Sequence, residues 1–426
     1  MIDQATIEQI RNAANIVDVV GDYVSLHRAG ANYKGLCPFH NERTPSFIVS
    51  PAKNFCHCFG CGKGGDPIGF LKEINNYTYR EALMHLANKY HIEVKEVDVS
   101  SEELAERQKR QVYFTLCDYA RKHYNQCLSG DDKQAIAHLN SLGIREASIE
   151  RFRIGYADDV PNSLATAISN GGFSISHATD LGLVAPINGG INDIINHAIV
   201  LPIINKTGKV TAFAWQDIDQ PQSPFCVTMR SAIFNAQEAV FGIFQANHAI
   251  SKAKSCYVVD TPYDAIMMNQ NGLENTIAPL GNTIDRYTLN DITKCVKDDS
   301  ATIITADISP AALQRTFRII DQLVSQGISV FAINVPQSIH KEISLSSASA
   351  WAQRIEGEKL DAITWKATLL LEQAQSSTER IKAIHSTLRT IKVMRDEASK
   401  RIYLNVLSQI TKFPPETLGM EMEKLK

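Results

Sequence analysis

The chain has 426 residues, 44% hydrophobic and 21% charged, and a formal net charge of −3. That length holds roughly two to four domains with cores of their own, and the composition is that of an ordinary soluble protein. The start carries no basic-then-apolar leader and no run approaches eighteen apolar residues, which argues against export or a membrane partner; with so little net charge, a nucleic acid must be gripped by a local patch.

In chain order, residues 1–20 read as an amphipathic helix followed by a strand, with Ile7, Ile10, Ala13 and Ala14 on one helical face. Tyr23-Val24-Ser25-Leu26 leads into the most informative stretch, CPFHNERTPSFIVSPAKNFCHCFGC at 37–61. Here Cys37-x2-His40 is followed, after seventeen residues, by Cys58-x2-Cys61. Each short pair folds two ligands onto one knuckle, and two knuckles make a tetrahedral zinc site. Ser46-Phe47-Ile48-Val49 and Asn54-Phe55-Cys56-His57 are strand-like, with a turn over 50–54. The reading is a zinc ribbon ligated by Cys37, His40, Cys58 and Cys61. Cys56 and His57 stand as competing ligands, although in a strand they point to opposite faces. With all four positions filled by protein, the Zn2+ is structural.

Around the ribbon lie Arg28, Lys34, Arg43, Lys53 and Lys63 against the single acid Glu42, interleaved with Tyr33, Phe39, Phe47, Phe55 and Phe59. Cations and flat rings suit a single-stranded nucleic acid, and Arg28, Lys34, Arg43, Lys53, Phe59 and Lys63 are the candidate contacts. The rings serve equally well as the core of so small a ribbon.

Past Gly64-Gly65, Asp66-Pro67 starts one helix, and Thr78 with Glu81 forms a capping box for another. The first domain is thus 1–95, and the all-polar run Ser100–Arg110, either a solvated helix or a linker, marks the boundary at 96–111. Residues 112–252 mix helices near 112–127 and 132–142 with a hairpin of 198–204 and 209–215 about Asn205-Lys206-Thr207-Gly208. Residues 253–340 alternate apolar strands (256–259, 276–278, 301–305, 328–333) with helices, which predicts a parallel sheet covered on both faces. Residues 341–426 read as helices over 350–374, 378–391 and 394–412, whose basic residues make a solvated face. Nine cysteines, three of them in the knuckles and the rest scattered, fit a reducing cytoplasm. Asp260 and Asp307 at strand ends, with Asp264 one helical turn beyond Asp260, are candidate ligands for Mg2+ or Mn2+. Asp260 and Asp307 also read as plain helix starts.

The motif Cys37-Pro38-Phe39-His40-Asn41-Glu42-Arg43-Thr44-Pro45-Ser46-Phe47 with Cys58-Phe59-Gly60-Cys61-Gly62 resembles the zinc-ribbon signature of DnaG-type bacterial primases. Ile154-Gly155-Tyr156-Ala157, Val200-Leu201-Pro202-Ile203 and Phe241-Gly242-Ile243-Phe244 extend the resemblance, and 253–337 looks like a toprim fold. The resemblance implies an α/β multidomain protein: zinc ribbon with helices, mixed α+β primase core, toprim-like parallel sheet and C-terminal helical bundle. It implies RNA-primer synthesis from ribonucleotides on single-stranded DNA, beside a replicative helicase or an active primase. The chain departs from the family's pattern in its acids. Asp260 replaces a glutamate, Thr261 a glycine, and Asp307-Ile308-Ser309 an Asp-Gly-Asp; the later acidic cluster falls on 337–342, leaving Glu342. Ala198, Gln216 and Phe225 stand where cations are expected. Loss of a metal-binding acid costs on the order of a thousandfold in rate, so the resemblance implies reduced or absent catalysis. Toprim nuclease or topoisomerase chemistry is a third, weaker reading. The chain also ends where that family carries a helicase-docking domain.

Overall fold

The computed structural model describes residues 2–425 except 76, 95–100, 131–132, 188, 297–299, 338 and 345–347. It divides into two compact units, Met1–Arg107 and Gln108–Lys426.

The first unit is a five-stranded antiparallel sheet in the order β1 (His27–Ala29), β2 (Asn32–Gly35), β3 (Phe47–Ser50), β4 (Phe55–Cys58) and β5 (Gly64–Gly65). Alternation fixes its faces: Phe47, Val49, Cys56 and Cys58 are fully buried, while Ile48, Ser50, Phe55 and His57 fall on the other side. The turn closes at Asn54, whose positive φ of 47° suits an asparagine and whose amide side chain bonds Ile16 N and Ala14 O. The strand expected to follow the first helix is instead a second short helix, Ile16–Gly21, capped by Asn15. Its Ile16, Val19 and Val20 join Ile10, Phe70, Leu71, Leu83 and Leu86 in the core. The capping box at Thr78 and Glu81 forms as read.

Of the two readings of 96–111, its described part takes the helix, opening the 28-residue Ser101–Leu128, and the two units divide within it after Arg107; 96–100, with Ser100, lies outside the described residues. Residues 102–112 are solvated and held by helix-forming side chains, while Tyr113, Leu116, Ala120 and Tyr124 give the rest of the helix a buried apolar stripe.

Among the described residues the second unit holds three sheets. A four-stranded antiparallel sheet has the order β11-β10-β9-β6, from β6 (Gly155–Ala157), β9 (Ala198–Ile204), β10 (Val210–Asp217) and β11 (Cys226–Val227). β9 and β10 are the predicted hairpin, with a bulge between Val210 and Ala212 and Gly208 at φ 82° in its turn. β7 (Val184–Ile187) and β8 (Gly190–Asp193) pair by themselves.

The third sheet has the order β12-β14-β13-β15-β16-β17. Its centre, β13 (Cys256–Val259), β14 (Thr276–Pro279), β15 (Ser300–Thr305) and β16 (Ser329–Asn334), is parallel, with helices between successive strands. The edges β12 (Val240–Phe241) and β17 (Leu360–Asp361) run antiparallel. β17 breaks the single helix expected over 350–374. Leu360 pairs with Ala332, and Asp361 then caps a new helix, Ala362–Gln373, through Ile363 N and Thr364 N. Helices Ser377–Lys392, Glu397–Thr411 and Pro415–Lys424 complete a bundle around Ile363, Leu388, Ile391 and Leu407. Among the described residues no helix is long and apolar enough to cross a membrane.

Candidate functional site

Cys37, His40, Cys58 and Cys61 converge, with one ligand atom of each within 4.8 Å of the others. Cys37 Sγ lies 3.8 Å from Cys61 Sγ, and Cys58 Sγ lies 3.8 Å from His40 Nδ1. A tetrahedral ion with Zn–S bonds of about 2.3 Å spaces its sulfurs about 3.8 Å apart, so the donor set fits zinc. Backbone N–H groups support the sulfurs: Phe39 N donates to Cys37 Sγ, and Gly60 N and Cys61 N donate to Cys58 Sγ. At Cys58 burial opposes ionisation, but bonds from Ser46 and from the Cys61 and Gly60 amides outweigh it and bring the thiol down to about 6. At Cys37 burial prevails and pushes the thiol up to about 12. The rivals stand elsewhere: Cys56 Sγ donates to Gly65 O in the core, and the His57 ring packs 4.9 Å from Phe59.

Glu42, given no role from the sequence beyond its place in the signature motif as the lone acid of a basic stretch, clamps this site. Its Oε1 accepts from Cys37 N at 2.7 Å and Ser46 N at 3.0 Å, and its Oε2 takes the Ser46 hydroxyl and lies 3.4 Å from His40 Nε2. A carboxylate behind a ligating imidazole fixes the ring's tautomer and direction. These bonds, chiefly from Ser46, hold the Glu42 carboxyl below the usual range. The signal for it is its place in that motif, two residues past His40.

The aromatic residues divide between the two readings. Phe39, Phe47 and Phe70 meet edge-on or tilted at 5.6–6.1 Å and form the core. Phe59 is 72% exposed and Phe55 43%. Cross-strand register lines up His27, Lys34, Ile48 and His57 across the open face of the sheet. Arg28, Lys34, Arg43 and Lys53 are all exposed. Lys63 is committed locally, to Glu73 at 3.0 Å and over the Phe39 ring. From the sequence, His57 is only a competing zinc ligand and His27 has no role; the register places both on the open face.

In the parallel sheet, Asp260 follows β13 and Asp307 follows β15, side by side because Val259 is in register with Ile304. Their carboxylates face different work. Asp260 Oδ2 accepts from Thr305 Oγ1 and Ala306 N, each at 2.8 Å, and from Asp307 N at 3.3 Å. Burial pushes its carboxyl up; these bonds pull the other way, and the Asp264 charge adds to the rise. Asp307 is exposed, with Oδ1 accepting from Ser309 N at 2.8 Å. Asp264 is buried, with Oδ2 accepting from Thr261 Oγ1 at 2.7 Å. Ser309, in place of an acid, caps the helix Pro310–Ser325. Glu342 is buried and paired to Arg354 at 2.8 Å. Asp260, Asp264 and Asp307 form no three-ligand group of the kind found in the ribbon. As placed, Asp260 Oδ2 is committed to protein donors and Asp307 Oδ1 to Ser309 N, so a Mg2+ or Mn2+ ion here would depend on the remaining carboxylate oxygens and on phosphate oxygens of a nucleotide.

Residues 2–102 match the CHC2 zinc finger family, and residues 123–247 match the DNA primase catalytic core, N-terminal domain. A DNA primase of Halalkalibacterium halodurans is 28% identical over 100% of this chain and 71% of its own length. A DNA primase of Listeria innocua is 28% identical over 99% of this chain and 69% of its own. The crystal structure of the zinc-binding and RNA polymerase domains of the Aquifex aeolicus primase is 25% identical, with a TM-score of 0.59, covering 97% of this chain and 99% of that one.

Proposed function

This chain belongs to the DnaG-type family of bacterial DNA primases, and we propose that it binds single-stranded DNA through the open face of its zinc ribbon and makes short RNA primers slowly, if at all. Zinc held by Cys37, His40, Cys58 and Cys61 stiffens the sheet that carries Lys34, His57, Phe55 and Phe59. Rings stack on bases there while Lys34, Arg43 and Lys53 meet phosphates; Arg28, in register with Tyr33 and Val49, alternates to the other face. Ribonucleotides are the second substrate. The observation that carries the reduced rate is the commitment of Asp260 to three hydrogen bonds beside an Asp307 turned back to Ser309.

A second reading, a non-catalytic single-strand-binding partner of an active primase, draws on Ser309. Its hydroxyl accepts from Ala312 N, so the position caps a helix where a second acid would be needed. One experiment separates the two. Zinc-loaded protein is incubated with single-stranded template, ribonucleotides and Mg2+ or Mn2+, with Asp307→Ala as control, and template binding is followed by fluorescence anisotropy. Oligoribonucleotides that disappear in the control establish the polymerase. Tight template binding without product establishes the partner role, and absence of both refutes the proposal.

A further inference from the structure

Three strand ends of the β11-β10-β9-β6 sheet meet at one rim. β6 ends at Ala157 opposite Ala198, the first residue of β9, and Ala198 is opposite Asp217, the last of β10. His197 therefore enters the sheet beside the exits of β6 and β10, and its carbonyl accepts from Ile218 N at 3.2 Å. Asp217 and Asp219 flank Ile218, and i, i+2 spacing puts both on the imidazole side. His197 Nε2 lies 3.2 Å from Asp219 Oδ2, and one ligand atom each of His197, Asp217 and Asp219 lies within 4.8 Å of the others. On the far edge of the ring, Nδ1 is 2.9 Å from Asp159 Oδ1 and 3.1 Å from the buried Tyr156 hydroxyl.

We propose that His197, Asp217 and Asp219 form a binding site for a first-row divalent cation, with Asp159 orienting the imidazole from behind. One imidazole edge held by a carboxylate while the other faces further ligands is the usual arrangement of a ligating histidine. One imidazole and two carboxylates suit Mn2+, Fe2+ or Zn2+ better than Mg2+. Charge points the same way. Asp159, Asp217 and Asp219 bring three negative charges, the imidazole offers at most one positive, and among the described residues no lysine or arginine pairs with them. Asp219 is 79% exposed, so three protein ligands leave coordination positions open to water or to phosphate oxygens. The site uses none of Asp260, Asp264 and Asp307, and it stands whether or not the chain makes primers.

The test counts Mn2+ by electron paramagnetic resonance on the zinc-loaded full chain. Asp260→Asn and Asp307→Asn are built into the background, which removes the two acids at the strand ends and leaves Asp264 buried against Thr261. Asp219→Asn or His197→Asn is then added. The first is at a surface position, and the second suits asparagine because His197 has φ 46°. One Mn2+ per chain is expected in the background, with affinity at least tenfold weaker in each added variant and with zinc content unchanged. Superimposable isotherms, or no Mn2+ in the background, overturn the proposal and leave an ordinary ion-paired histidine.

Discussion

Gly60→Ala separates a zinc site from four residues that merely sit together. A Cβ on Gly60 would lie 2.7 Å from His40 Nε2, 2.9 Å from His40 Cε1 and 3.0 Å from Ser46 Oγ. Carbon contacts settle at about 3.5 Å, so the ring must retreat by roughly 0.7 Å. Metal bonds tolerate only about 0.2 Å. Without zinc the ring swings away at little cost, so the metal-free protein should unfold as the wild type does. With zinc, the ring either leaves the ion or strains the knuckle. Disturbing a ligand's support costs about 10- to 100-fold in affinity, or about 1.4–2.8 kcal/mol, and the loss here is expected to reach at least that range. Competition with a chromophoric chelator at pH 7 measures it, and Gly21→Ala, with nothing within 4 Å, is the control. Wild-type zinc affinity in Gly60→Ala would refute the assignment of His40 as a ligand.

Glu42→Ala removes the acceptor shared by Cys37 N, Ser46 and His40, and a 10- to 100-fold weaker zinc affinity is expected in the same assay. Lys366 is 2% exposed, its Nζ donating to Thr390 Oγ1 at 2.7 Å; burial lowers its pKa from 10.5 to about 8, with Asp321 offsetting part of the effect. The folded chain loses this proton at lower pH than the unfolded chain, so stability should rise from about pH 8 to about pH 10.5; at pH 7 the cost is about 3 kcal/mol. Lys366→Met should be about 1–3 kcal/mol more stable at pH 7 and lack that rise. Trp215, Trp351 and Trp365 all lie in the second unit, so urea unfolding read by fluorescence tests this, and identical pH profiles would contradict it. For Asp260 the sign is opposite. Its raised carboxyl makes ionisation costly, so stability falls as pH climbs through the raised value. Asp260→Asn keeps an acceptor for the same three donors and should melt higher at pH 7, with the gap closing below about pH 4 and any primer synthesis lost. A lower melting point at pH 7 would count against that account.

Short spacings made much of this protein legible in its sequence. Two C-x2 pairs put four ligands on two knuckles, Asn205 to Gly208 could only turn, and continuous apolar runs between helices implied a covered parallel sheet. Each depends on residues within a few positions of one another, where backbone geometry leaves little choice. The break at Leu360 escaped because a strand of two residues has no period of its own and forms only against the edge of β16. The split between core and exposed rings, the clamp made by Glu42, the ties on Asp260 and the meeting of His197 with Asp217 and Asp219 were likewise settled by tertiary structure. They depend on which strand lies beside which and in what register, and local propensity is silent on both. A one-residue slip would send each of these side chains to the opposite face.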